Sequence, residues 1–333
     1  MPDNYDVVIV GAGASGAAAA WNLSRQFKNI VCLEQGPWIK PSDYPSTKEN
    51  WEYHKNREYS PFPNQRNLAS DYPINDKESQ ISIANFNAVG GSTILYSGHF
   101  PRMHPSDFCT KSLDDVGSDW PFTYQDLEKY YNLNDLMMGV SGLEGDPAYP
   151  EIKNLLPPIS LGSIAEVMGQ GFNKLGWHWW PSYSAILTRE KKGRGSCVNL
   201  GPCNSGCPQG AKGSVDITYW PEAIRNGVKL ITNARVKEVI TDHNDSAKGV
   251  IFYDINGDEQ FISAKIVILA CNGIGTPRIL LNSKSNTSNN SLANSSGLVG
   301  KNLMLHPLGF VEGVFSEDLQ SHVGPHGCCI QSQ

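Results

Sequence analysis

Tyr5-Asp6-Val7-Val8-Ile9-Val10-Gly11-Ala12-Gly13-Ala14-Ser15-Gly16 is the stretch that decides the fold. Its first six residues are mostly apolar and β-branched, the composition of a buried parallel strand. The strand stops at Gly11, and the alanine-rich run Ala12 to Phe27 reads as a helix. Asn29 to Leu33 reads as a second strand, ending at Glu34-Gln35-Gly36. Strand, helix and strand together make a βαβ unit, and the expected class is α/β. Within it Gly11 permits the tight turn, Gly13 lets the backbone approach a pyrophosphate, and Gly16 allows close packing of helix on strand. Ala14 and Ser15 open a helix whose unpaired N–H groups would face the phosphates. Glu34, eighteen residues beyond Gly16, offers a carboxylate to ribose hydroxyls and disfavours a 2′-phosphate, which points away from NADP. The alternative is a glycine turn that holds no nucleotide.

Outward from this stretch, 333 residues suggest two domains or one large, elaborated one. An apolar share of 40% with 18% charged residues supports a sizeable core and excludes general disorder. Lys+Arg 27 against Asp+Glu 33 leaves 27 − 33 = −6, with no basic tail or stripe, which argues against nucleic acid as a partner. No apolar run approaches the roughly 20 residues of a membrane-spanning helix. The N-terminus has no basic segment ahead of its apolar run, so a cytoplasmic location is the default, with export on a partner's signal as the alternative. Eight cysteines in a chain this long do not make a disulfide scaffold. Cys32 and Cys271 sit in strand-like apolar runs and read as small buried hydrophobes.

Further along, residues 37–80 are polar, aromatic and proline-dotted, and read as a surface excursion. Thr123 is a candidate N-cap for a helix carrying Leu127, Tyr130, Tyr131 and Leu133, and Ile164 to Leu175 is a second helix. Trp177 to Trp180 reads as aromatic core packing, with stacking on a sugar as the alternative. Strand character returns over Gly227 to Thr241, and Gly249 to Tyr253 with Gln260 to Ile262 suggests a hairpin about Asn256-Gly257. Lys265 to Ala270 reads as a buried strand, and Asn282 to Ser296 as a mobile polar loop.

Two further glycine turns bear on the nucleotide. Val89-Gly90-Gly91-Ser92-Thr93 offers successive backbone N–H groups to an anion or a flavin edge. Ile268 to Pro277 runs from a strand through Gly273 and Gly275 into a helix, a second dipole that could face the cofactor. In combination these motifs resemble the glucose–methanol–choline (GMC) flavin oxidoreductases. The closer likeness is to the gluconate, sorbitol and fructose dehydrogenase branch, carried by Asn87 to Phe108, Gly206 to Pro221 and Gly297 to Pro307. The resemblance implies FAD in extended form and oxidation of an alcohol or sugar C–OH by hydride transfer to flavin N5. It implies a discontinuous Rossmann-type FAD-binding domain over residues 1–108 and 208–307. An α+β substrate domain, incomplete in this chain, would take 109–207 and 308–333. By position Val236 would meet the adenine, and Gly90, Gly91, Ser92 and Thr93 the flavin side. Some relatives attach FAD through a histidine a few residues after the paired glycines, whereas Leu95 stands there here, so non-covalent FAD is expected. Asn272 departs from the small Gly or Ser common at that place.

Family members continue further and carry a His–His or His–Asn pair near their C-terminus, so a partial sequence is expected and the catalytic base is unassigned. His99, His104, His306, His322 and His326 are candidates by chemistry alone. Cys197, Cys203 and Cys207 form C-x5-C-x3-C in a glycine- and proline-bearing loop, with no fourth Cys or nearby His to complete a zinc site. The spacing resembles the three-iron cluster loop of membrane-bound FAD-dependent glucose and fructose dehydrogenases, where the cluster passes electrons to a cytochrome partner. The alternative is a loop of reduced, packed cysteines. Two rival functions stay open: an NAD-dependent dehydrogenase, and a flavin-binding electron-transfer module without substrate turnover.

Overall fold

The βαβ start is present in the computed structural model as β1 (Tyr5–Val10), α1 (Ala14–Leu23) and β2 (Ile30–Leu33). The structure describes residues 4–66, 68, 70–72, 74–201, 203–287, 290–306, 309, 311–325 and 330–332. Short helices α2 (Trp51–Lys55) and α3 (Pro63–Arg66) interrupt the excursion that follows. After them come α4 (Thr110–Asp114), α5 (Tyr124–Met138), α6 (Gly162–Leu175) and β3 (Trp179–Pro181). The chain then runs through α7 (Tyr219–Arg225), β4 (Lys229–Ile231), β5 (Arg235–Thr241), β6 (Ala247–Tyr253), β7 (Glu259–Leu269), α8 (Asn272–Asn282) and β8 (Ile330–Ser332). Two compact units result: Met1–Ile94 with Ser214–Glu312, and Leu95–Gly213 with Gly313–Gln333.

The first unit is built on a six-stranded sheet in the order β4-β2-β1-β7-β6-β5. The pairs β4–β2, β2–β1 and β1–β7 are parallel, while β7–β6 and β6–β5 are antiparallel. Val7, Val8 and Ile9 of β1 and all four residues of β2 are essentially inaccessible, each such side chain contributing about 1.5–3 kcal/mol by burial. The hairpin expected about Asn256-Gly257 is the β6–β7 connection, closed by Gly257 N–H donating to Asp254 O. Its second arm runs straight on, so that β7 pairs with β6 through Ser263 and with β1 from Ala264. The run from Lys265 is therefore the far half of one long strand, and it is not buried as expected. Val267 and Leu269 join the core, whereas Ile266, on the opposite face by strand alternation, is 42% exposed.

The excursion is more ordered than its composition suggests. Arg66 and Asp71 form a buried bidentate pair, Nε to Oδ2 at 2.8 Å and Nη2 to Oδ1 at 2.6 Å. Arg66 Nη1 also donates to the carbonyls of Ser60 and Asn85, and Asn87 Nδ2 donates to Asp71 Oδ1. Removing one partner of such a pair strands the other charge in the interior, at about 3–5 kcal/mol. Asp71→Ala is thus expected to lower the unfolding free energy in denaturant by about 3 kcal/mol or more, and a loss below about 1 kcal/mol would contradict the latch. The segment from Asn282 is likewise tied down: Asp245 accepts from Asn286 N–H, Ser285 Oγ and Thr287 Oγ1.

In the second unit Thr123 caps α5 as expected, its N–H and Oγ1 both donating to Asp126 Oδ2. The Trp177–Trp180 cluster does not form a core. Trp177 is 58% exposed and stacks on Phe172. Trp179 and Trp180 sit on a two-stranded edge with β8, donating their indole N–H groups to Asn173 Oδ1 and the Leu143 carbonyl.

Candidate functional site

Ala12 is the hub of the turn between β1 and α1. Its N–H donates to Glu34 Oε2 at 2.8 Å, and its carbonyl accepts from Gly90 N–H at 3.0 Å and Trp220 Nε1 at 2.9 Å. Gly36 N–H donates to the other carboxylate oxygen of Glu34 at 2.9 Å. The acid at the end of β2 therefore fastens the first glycine turn, besides any part it takes with a ribose. Each carboxylate oxygen accepts one of these N–H groups and keeps acceptor capacity for a second donor. Burial pushes the Glu34 carboxyl up to about 7, against the pull of the backbone N–H groups of Ala12, Gly36 and Gln35. Beside it the Cys271 thiol is pushed up to about 12, by burial and then by the Glu34 charge, and Cys32 is raised by the same two causes. Both thiols stay neutral at ordinary pH and are poor nucleophiles.

A cavity of about 240 Å³ opens at this end of the sheet. Its walls include Gly11, Gly13, Ala14, Ser15, Glu34, Gly91, Ser92, Thr93, Val236 and Gly275, which brings together every expected cofactor residue except Gly16 and Gly90. Those two lie behind the wall. A Cβ on Gly16 would sit 1.9 Å from the Gly11 carbonyl oxygen, and one on Gly90 about 3.0 Å from Asp216 Oδ1. Gly13, in contrast, has no other atom within 4 Å of where a Cβ would be. It is also the N-cap of α1, with no side chain to satisfy the first-turn N–H groups. An open approach, an uncapped helix N-terminus and a carboxylate with spare acceptor capacity suit a pyrophosphate and ribose, so these residues fit the FAD that the sequence suggested.

Two expectations change in detail. Gly90 and Gly91 do not offer their N–H groups to a ligand, because these donate to the Ala12 and Ala88 carbonyls. Their loop supplies wall through Gly91, Ser92 and Thr93. The N-terminus of α8 is not a free dipole either, since Asn272 Oδ1 accepts from the N–H groups of Ile274 and Gly275. Asn272 thus caps its own helix, whereas the start of α1 has no side-chain cap. Tyr72, Asn85, Phe86, Asn87 and Arg278 also line the cavity, and the sequence did not single them out for it. Asn85 to Asn87 and Arg278 stand near glycine turns in the sequence, whereas Tyr72 lies in the excursion with no such signal.

None of the candidate histidines lines this cavity among the described residues. His99 Nδ1 is 2.8 Å from Ser182 Oγ, and burial lowers its pKa. His104 bonds Ser106 Oγ and the Ala148 carbonyl, each at 2.7 Å, at the start of a short 3₁₀ turn. His306 and His322 are exposed, and His326 lies outside the described residues. Cys197, Cys203 and Cys207 share one loop, and Cys197 and Cys203 pack against Ile159 and Ile186. Burial raises the Cys197 thiol, with the neighbouring Cys207 adding to the shift. Among the described residues no three Cys, His, Asp or Glu side chains converge to hold a metal ion; Pro202, Cys328 and Cys329 lie outside them. No helix among the described residues is long and apolar enough to cross a membrane.

Residues 5–308 match the profile of the GMC oxidoreductases. The chain is 39% identical over 336 residues to 2-methyl-1,2-propanediol dehydrogenase of Mycolicibacterium austroafricanum, covering 99% of this chain and 60% of that protein. It is 31% identical to the fructose dehydrogenase large subunit of Gluconobacter japonicus, covering 91% and 58%. The chain thus spans about 60% of the length of these relatives. Pyridoxine 4-oxidase from Mesorbium loti has a similar fold, with a TM-score of 0.56 at 18% identity over 84% of this chain and 51% of that one.

Proposed function

The chain belongs to the GMC oxidoreductase family, and from that premise we propose that it binds FAD without a covalent link and serves the oxidation of a C–OH group in an alcohol, sugar or sugar acid. The observation that carries this reading is the cavity that gathers Gly13, the uncapped start of α1 and Glu34. When bound, FAD supplies the acceptor for the hydride leaving the alcohol carbon. The residues here bind and orient it. The first turn of α1 receives the pyrophosphate, Glu34 accepts from ribose hydroxyls, and Gly91 to Thr93 bound the flavin side. Leu95 is aliphatic and buried and cannot bond to the isoalloxazine. On this reading the unit containing residues 1–94 and 214–312 is the FAD-binding domain, and the other is the partial substrate domain.

The similar diol dehydrogenase and fructose dehydrogenase large subunit support a dehydrogenase with a partner subunit; on this reading electrons leave to a non-oxygen acceptor such as a cytochrome subunit, and the enzyme is cytoplasmic or tethered by its partner. A three-iron cluster on Cys197, Cys203 and Cys207 is supported by spacing alone, and no electron step is routed through it. Because no histidine lines the cavity among the described residues, a flavin-binding module without turnover is the second reading.

Protein purified without air should show two resolved flavin bands, and acid precipitation should release all of the flavin as FAD. A colourless folded protein that takes up no FAD would refute the reading, and flavin retained on the precipitate would refute the argument from Leu95. Bleaching of the bands by a vicinal diol or fructose separates the enzyme from the module. Iron and acid-labile sulfide assays on the same sample decide the cluster.

A further inference from the structure

Arg278, on α8, reaches back across the sheet to β5. Its Nη2 donates to the Val236 carbonyl at 3.3 Å, and its guanidinium carbon lies 4.7 Å from the centroid of the Tyr72 ring. All three residues line the cavity. Tyr72 is delivered there by the segment that Asp71 latches to Arg66. The guanidinium is therefore held on one edge by a backbone carbonyl and on one face by an aromatic ring, an arrangement that spends its side-chain freedom before any ligand arrives.

One donor of this held group, Arg278 Nε, is buried and has no hydrogen-bond partner among the described residues. A buried N–H on a charged group without an acceptor is costly, and folded proteins rarely leave one. The cost is recovered if a ligand in the cavity brings the acceptor. A pyrophosphate is already provided for at the uncapped start of α1, where Gly13, Ala14 and Ser15 line the wall. Arg278 stands at the Val236 side, two residues beyond Ala234, whose N–H donates to the Glu34 carbonyl; on the flavin reading the acceptors nearest this acid are the ribose oxygens and the ring nitrogens of adenine.

We infer that Arg278, held by Val236 and Tyr72, recognises the adenosine half of the cofactor, its Nε–H donating to an adenine nitrogen or a ribose oxygen. This rests on the flavin reading and adds to it a residue that sets which half of the dinucleotide is recognised. Lysine cannot replace it, having neither the planar face nor the fork of donors.

The test is a titration of the cofactor-free full chain with FAD, ADP and FMN, for wild type, Arg278→Lys and Arg278→Met, followed by intrinsic fluorescence. Circular dichroism and thermal unfolding of each apoprotein check the fold. Loss of a hydrogen bond to a charged donor predicts that FAD and ADP weaken by about 10- to 100-fold in both variants while FMN changes less than about twofold. Unchanged ADP affinity in Arg278→Met overturns the inference. An equal loss for FMN also overturns it, by moving the contact to phosphate, and rescue by Arg278→Lys does so by reducing the effect to charge. Should Arg278→Met fail to fold, Tyr72→Leu, which frees the guanidinium, is expected to weaken ADP by about threefold or more and spare FMN, and no change overturns the inference. A wild-type chain that binds none of the three ligands removes the flavin reading together with this one; binding of FAD by wild type with unaltered variants removes this one alone.

Discussion

Gly16→Ala is expected to destabilise the protein by about 3 kcal/mol and to abolish dinucleotide binding. Helix propensity alone predicts the opposite, since alanine is better than glycine inside a helix by about 1 kcal/mol. Packing reverses the sign. The added Cβ would lie 1.9 Å from the Gly11 carbonyl oxygen and 3.0 Å from its carbonyl carbon, and both are backbone atoms of the turn itself. No side chain can rotate away, so α1 must lift off β1, and overpacking of this kind costs about 1–3 kcal/mol or more. Lifting α1 also disturbs Ala12, whose N–H holds Glu34 and whose carbonyl takes Gly90 and Trp220. Gly13→Ala provides the contrast. No other atom lies within 4 Å of its Cβ position, so apoprotein stability should change by about 1 kcal/mol or less, while the methyl group stands where the pyrophosphate must approach and FAD affinity falls. Urea unfolding and FAD titration of the two variants give the comparison. Equal behaviour of Gly13→Ala and Gly16→Ala would contradict the division of roles between the two glycines.

Stability and cofactor affinity should respond in opposite senses to pH, through Glu34. Its carboxyl lies at about 7 in the folded chain, against an ordinary value of 4.5, so between those values the folded state holds a proton that the unfolded state has lost. The stability this provides is full below about pH 4.5 and disappears as pH rises through 7, a change of about 3 kcal/mol at 1.36 kcal/mol per pH unit. The measurement is the unfolding free energy of cofactor-free protein from about pH 5 to pH 8, with Glu34→Gln subtracted to remove every other titrating group. Ribose hydroxyls donate to the ionised carboxylate, so FAD binding should expel the proton, and affinity should rise with pH by up to about tenfold per unit below pH 7. Glu34→Gln should weaken FAD by about tenfold or more at pH 8 and abolish the pH dependence. An affinity for FAD that is flat from about pH 5.5 to pH 8 would mean that Glu34 is already ionised in the empty site.

The histidines illustrate why chemistry by residue type was not enough. His104 is occupied by Ser106 and the Ala148 carbonyl, and nothing in its sequence neighbourhood distinguishes that structural duty from proton transfer. The cysteine loop is similar: spacing limits how close three sulfurs can come, but it does not decide that Cys197 and Cys203 turn toward Ile159 and Ile186.

What could be read from the chain in advance was local. The β1–α1–β2 start, the tight packing of Gly16 against the Gly11 turn, the Thr123 cap and the Asn256-Gly257 turn all depend on residues a few positions apart, where steric preference and hydrogen-bond geometry act within the segment itself. The tertiary structure decided everything that joins distant residues. It committed the Gly90 N–H to Ala12, gave Asn272 its own helix to cap, fastened Tyr72 in place through Arg66 and Asp71, and set Arg278 against Val236. A backbone N–H or a guanidinium looks the same in a sequence whether it awaits a ligand or is already bonded; only the folded chain shows which acceptor it has reached.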